Sequence, residues 1–117
     1  MIGIPFVKDG RDRNGCDCYG LVRLALRELA GIDLPDRQYG EDSDERAGMI
    51  RGGLPGWVRV DRPQRFDIVV FKVQGKPQHV GLCMGSGKFL HVREGGRSRI
   101  ERFGPLWIVD SLYRYAP

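Results

Sequence analysis

One long amphipathic stretch, Asp17 to Gly31, dictates what this chain can become. Apolar residues stand at Cys18, Leu21, Val22, Ala25, Leu26 and Leu29, the spacing of a helix with a single buried stripe. Asp17 is a good N-cap, and Gly31 is a natural stop just past Ala30. From Trp57 onward the pattern turns to short strands. Trp57–Val60, Asp67–Val73, His79–Met84, Lys88–Arg93, Arg99–Phe103 and Ser111–Tyr115 are separated by Gly and Pro. Ile68-Val69-Val70-Phe71 is an unbroken apolar run, as expected of a central strand. A one-striped helix followed by a strand meander implies an α+β fold, with the helix packed on a central antiparallel sheet. The segment between, Pro35 to Gly56, is rich in Gly, Asp, Glu and Arg. It is expected to hold a short helix near Asp44–Arg51, capped by Asp42 or Ser43.

The chain has 117 residues, enough for one domain over 1–117 and one modest core. No apolar run approaches the roughly 20 residues needed to cross a bilayer, so no membrane insertion is expected. The first ten residues lack a basic segment followed by an apolar one, so no signal peptide is expected either. Synthesis in a bacterial cytoplasm, with exit by another route, is the corresponding expectation. The three cysteines read as reduced thiols, with Cys16 and Cys83 as packing residues. Arginine supplies 15 of the 19 basic residues behind the net charge of +4, and most of it reads as solvated surface. There is no basic run, zinc-finger spacing or aromatic ribonucleoprotein motif, so no nucleic-acid partner is expected.

Cys18 opens the helix. Amide groups and the positive dipole end at that position favour thiolate over thiol, and such settings lower a cysteine pKa to roughly 3.5–7.5. A cysteine on an apolar stripe reads equally well as a small core residue, so the rest of the chain has to decide. The only two histidines, His79 and His91, flank an expected hairpin. A three-residue loop, Gly85-Ser86-Gly87, would pair Met84 with Lys88, Leu82 with Leu90 and Gly81 with His91. His79 and His91 would then share one face, diagonal to each other, with Gly81 leaving room for the rings. A two-residue loop would put them on opposite faces. If the helix packs on the histidine face, its stripe brings Cys18 to His79, giving a nucleophile, a base and an orienting group. A zinc site from Cys16, Cys18, His79 and His91 is the competing assignment. Cys-x-Cys with histidines twelve residues apart fits neither usual zinc spacing, so no metal or other cofactor is expected.

Several segments together carry a family resemblance. Asp17-Cys18-Tyr19-Gly20-Leu21-Val22 resembles the Asp-Cys-Ser/Trp-Gly-Leu/Phe-Val signature of the NlpC-type, papain-like cell-wall peptidases. Arg65-Phe66-Asp67-Ile68-Val69-Val70-Phe71 resembles their Pro-Gly-Asp-Val/Leu-Val-Phe strand, and His79-Val80-Gly81-Leu82 resembles their His-Val-Gly-Ile/Leu segment. Lys88-Phe89-Leu90-His91-Val92 resembles their strand bearing the third catalytic residue. Pro5-Phe6 through Gly10-Arg11-Asp12, with Pro105-Leu106-Trp107, resembles the short versions found in tailed phages and gene-transfer particles. The resemblance implies a papain-like fold, with Cys18 as nucleophile, His79 as general base and acid, and His91 as its orienting residue. It implies a peptidoglycan stem-peptide substrate, cleaved at γ-D-glutamyl to diamino-acid bonds. It also implies a place at a phage tail tip or hub, with other tail proteins as partners. Asp17, Tyr19, Phe6, Arg11 and Asp12 are the candidate pocket and oxyanion residues, and Arg11, Arg13 and Arg93 are candidates for binding substrate carboxylates. Many members carry Tyr near the position of Phe6, whose ring cannot supply that hydroxyl. A structural tail-tip plug or assembly factor with a vestigial site is the alternative role.

Overall fold

The computed structural model describes residues 1–36 and 56–117; the expected Asp44–Arg51 helix lies outside them. Two short strands, β1 (Arg11–Asp12) and β2 (Gly15–Cys16), form a small hairpin that the sequence patterning does not reveal. It leads directly into α1 (Cys18–Ala30). Among the described residues six further strands follow: β3 (Trp57–Val60), β4 (Ile68–Val73), β5 (Lys76–Gly85), β6 (Lys88–His91), β7 (Arg99–Arg102) and β8 (Ile108–Tyr115). They make one antiparallel sheet in the order β3-β8-β4-β5-β6-β7. The apolar run of β4 is interior as expected, flanked by β8 and β5.

α1 starts where the sequence asks it to. Asp17 accepts from the Gly20 amide at 2.7 Å, and Gly31 closes the helix in the left-handed conformation at φ 66°. Gly20 has a separate reason to be glycine. A Cβ there would sit 2.1 Å from the Gly10 carbonyl oxygen, so the loop before β1 can lie against the first turn only if that side chain is absent. At the start of β4, Phe66 adopts φ 74°, a region glycine enters without steric cost. The resembled Pro-Gly-Asp turn has its Gly at this position. Asp67, the next residue, is buried and accepts from the Gln64 amide and from both Nε and Nη2 of Arg114.

The sheet separates two clusters. Leu21, Val22, Ala25 and Leu26 of α1 pack with Ile68, Val70, Val80, Leu82, Leu90 and Val92. Across the sheet, Val69, Phe71, Cys83, Phe89 and Leu112 pack with Val60, Phe103 and Trp107. Both histidines lie on this second side: His79 pairs in register with Phe71, and His91 contacts the rings of Phe89 and Trp107. The expectation that α1 packs on the histidine face is therefore corrected. The aliphatic positions of β5 and β6 match the helical stripe in character and take it instead.

The β5–β6 tip also differs from expectation. Gly85 pairs with Lys88, leaving a two-residue turn of Ser86 and Gly87, both at positive φ, the signs of a type I′ turn. A bulge between Cys83 and Gly85 takes up Met84, so Leu82 still faces Leu90. The bulge restores the parity that the shorter turn would invert, and the histidines share a face after all.

Candidate active site

A cleft of about 270 Å³ opens where the start of α1 meets the end of the sheet that carries the start of β5 and the residues after β6. Cys18 and His79 both line it, with Phe6, Asp17, Gln78, Arg93 and Trp107 among the other walls. Cys18 is only 4% exposed and belongs to the buried cluster of Leu21, Val22, Ala25 and Leu26. The thiol thus comes from the helix-covered face and His79 from the opposite one, and they meet around the sheet's end rather than across a shared surface.

His79 is held tightly. Its ring stacks at 5.9 Å on Phe71 and at 5.7 Å on Trp107. Its Nε2 hydrogen-bonds His91 Nδ1 at 3.0 Å. The bulge between Phe71 and Lys72 in the β4–β5 ladder sits one step before His79, and there Gln78 turns to donate to the Val73 carbonyl at 2.7 Å. Bulges beside sites commonly re-aim a side chain in this way. A Cβ on Gly81 would meet the Leu90 carbonyl oxygen at 3.0 Å and the His91 Cβ at 3.5 Å, so the expected room for the rings is there.

His91 is 1% exposed, and its Nε2 hydrogen-bonds Glu101 on β7. Burial pushes the His91 pKa down from its ordinary value; Glu101 opposes that shift, and Arg99 and Arg93 add to it. Burial likewise pushes Cys16 up to about 11 and Cys83 up to about 12. Both are inert packing thiols near neutral pH.

Asp17 serves two groups at once. Besides capping α1 it pairs with Arg11 Nη1 at 2.8 Å. A bare carboxylate beside Cys18 would oppose a negative sulfur, and the guanidinium offsets that charge. Arg11 is tied further to Asp36 at 2.7 Å and lies over the Tyr19 ring. Arg11, Asp12 and Tyr19 are not among the residues lining the cleft. Asp12 accepts from the Asn14 amide within the β1–β2 turn, and the Tyr19 hydroxyl donates to the Pro35 carbonyl. Arg13 pairs with Glu28 on the exposed back of α1. Arg93 does line the cleft and lies 5.4 Å from the Trp107 ring centroid. The Cys16 thiol donates to the Asp12 carbonyl at 3.0 Å. Among the described residues no cluster of three or more His, Cys, Asp or Glu is placed to hold a metal.

A thiol at a capped helix start thus shares a cleft with a half-buried histidine, which a second, buried histidine holds by its far nitrogen. The NlpC/P60 family matches residues 3–111. The chain belongs to that family. Among curated NlpC/P60-like relatives, the murein DD-endopeptidase MepS/murein LD-carboxypeptidase of Escherichia coli K12 is 28% identical over 89 residues, covering 76% of this chain and 42% of that protein. The gamma-D-glutamyl-L-lysine dipeptidyl-peptidase of Bacillus subtilis 168 is 28% identical over 101 residues, covering 84% of this chain and 30% of that protein. The crystal structure of an NlpC/P60 family protein from Bacillus cereus aligns with a TM-score of 0.70 at 26% identity, covering 99% of this chain and 37% of that one. The chain therefore spans less than half the length of each, and the α+β papain-like fold is shared.

Lys8, Asp9, Gln78, Glu94 and Glu101 are site neighbours that sequence reasoning missed. None of the five declares itself in the sequence; Glu101 reaches the histidine face because it pairs with Phe89 across β6 and β7.

Proposed function

We propose that this NlpC/P60 protein is a cysteine endopeptidase that hydrolyses peptidoglycan stem peptides, at γ-D-glutamyl to diamino-acid bonds. Cys18 is the nucleophile, His79 the general base and then acid, and His91 the group that orients His79. The observation that carries this reading is the shared cleft: Cys18 and His79 line it together, and His91 holds the far nitrogen of His79 at 3.0 Å. Support for the substrate class comes from the relatives named as a murein endopeptidase and as a gamma-D-glutamyl-L-lysine dipeptidyl-peptidase.

His79 Nδ1 takes the thiol proton, and the thiolate attacks the scissile carbonyl carbon. The developing oxyanion is met by the Cys18 amide at the start of α1, the Gly20 amide being held by Asp17. His79 then hands its proton to the departing amine, leaving a thioester. Water, deprotonated by the same nitrogen, releases the acid and restores the thiol. Lys8 and Arg93 supply cationic walls, and Asp9 and Glu94 anionic ones. That mixture suits a diamino acid, which carries both an amine and a carboxylate.

The test is release of new amino termini from purified peptidoglycan. Wild type is expected to release them and Cys18→Ala to give only background; equal release by both would end this reading. A tail-tip placement in a phage or gene-transfer particle belongs to the same proposal, supported by the Pro5–Asp12 and Pro105–Trp107 resemblances. One observation favours a structural plug with attenuated catalysis. Phe6 lines the cleft, where many members offer a tyrosine hydroxyl. Phe6→Tyr would then raise kcat, and particles carrying Cys18→Ala would assemble and infect normally whereas a deletion would not assemble.

A further inference from the structure

Glu101 reaches His91 from the neighbouring strand, outside the Cys18–His79–His91 set. Its carboxylate accepts from His91 Nε2, and its other oxygen meets Arg99 Nη2 at 3.2 Å. An ionised carboxylate can only accept, so His91 Nε2 must carry its proton. In a neutral ring, Nδ1 is then an acceptor. His79 Nε2 lies 3.0 Å from that Nδ1 and must be the donor. The proton of neutral His79 is thereby fixed on Nε2, and its basic lone pair on Nδ1. Each step is forced by the one before it, and the chain starts at Glu101.

The geometry points to Glu101 as a positioning residue: through two linked imidazoles it selects the tautomer in which His79 can accept the Cys18 proton. This rests on the reading of Cys18 as nucleophile and His79 as its base. No proton travels to Glu101. The thiol proton moves to His79 Nδ1, and His79 as imidazolium keeps its Nε2–H on His91. The groups facing His91 are His79 from β5, Glu101 and Arg99 from β7, and Arg93 just after β6, with Phe89 and Trp107 against the ring. The cations and the burial keep His91 neutral, which the relay requires: protonated His91 would donate from both nitrogens and clash with the His79 N–H.

Nitrogen-15 NMR of the imidazoles, with the pH profile of Cys18 alkylation by iodoacetamide, tests this without any peptidoglycan substrate. The wild-type spectrum is expected to show protonated Nε2 and unprotonated Nδ1 on His91, and it decides even where a variant fails to fold. Glu101→Leu is expected to shift His91 toward the Nδ1–H form and to slow alkylation near pH 7 about tenfold or more, by analogy with the carboxylate partners that orient metal-bound histidines. Glu101→Gln, whose amide oxygen can still accept, is expected to restore most of the rate. A wild-type His91 protonated on Nδ1 overturns the proposal. So does Glu101→Leu with unchanged tautomers, even if alkylation slows, because that outcome makes Glu101 a packing residue only. Intact relay signatures in a protein that releases nothing from peptidoglycan would count against the hydrolase reading and leave Glu101 in place.

Discussion

The face of the sheet covered by α1 is aliphatic, built from Ile68, Val70, Val80, Leu82, Leu90 and Val92 against the helical stripe. The opposite face is aromatic, with Phe71, Phe89, Phe103 and Trp107 around two imidazoles. The first face asks only for shape, since aliphatic groups have no hydrogen bonds to satisfy. The second must satisfy ring nitrogens, and it does so within itself: among the described residues, no buried side-chain nitrogen or oxygen lacks a partner. The helix face therefore carries the apolar burial that holds the fold, while the aromatic face fixes which nitrogen holds which proton. The cleft lies at the sheet end because only there can a residue of one face reach a residue of the other.

Substitutions that separate the faces test that division. His79→Ala is expected to lower kcat/KM on peptidoglycan fragments by about 10²–10⁴-fold, the usual contribution of a general base, with a melting temperature near that of wild type. A matching collapse in stability would show that the aromatic face also holds the fold. Leu26→Ala, on the fully buried stripe, is expected to cost about 2–5 kcal/mol in urea unfolding while sparing the activity of the folded fraction. A drop in kcat at saturating substrate in that variant would break the division from the other side.

The acid limb of stability sharpens it further. Burial holds the His91 pKa below its ordinary 6.5, so above that pH both folded and unfolded chains are neutral there and the full contribution is present. As pH falls through 6.5 the unfolded chain takes the proton first, and stability drops. One proton bounds the slope at about 1.4 kcal/mol per pH unit. His91→Gln should flatten that part of the curve in denaturant titrations at successive pH values; an unchanged curve would mean that His91 protonates freely in the fold. The smallest effect is in thiol labelling. With Cys16 at about 11 and Cys83 at about 12, brief iodoacetamide treatment near pH 7 should add one label, mapped to Cys18 by mass spectrometry, and none to the other two.

Much of this was legible because local rules and the fold agree. Asp17 and Gly31 bound α1 by capping chemistry, and the Ile68–Phe71 run marked an interior strand by its lack of alternation. Cys18, His79 and His91 stood out by type, place and rarity. What escaped depends on contacts between distant segments. The sequence pattern has aliphatic residues on one hairpin face and histidines on the other, but only packing decides which one α1 chooses. Glu101 stayed hidden because the Arg93–Ser98 loop does not declare the β6–β7 register. Arg11 looked like a ligand for substrate, and its guanidinium instead goes to Asp17 and Asp36, the latter 25 positions away.

The bulge that absorbs Met84 at the β5–β6 tip has a consequence for how this ribbon can change. With the two-residue turn and the bulge both kept, a residue removed or added between Cys83 and Phe89 would turn His91 toward the helix and sever it from His79. A single-residue change at this tip keeps the two imidazoles together only where the bulge or the turn itself takes up the difference. The hairpin is in this sense a counting device, and the chemistry survives only those edits that keep its count.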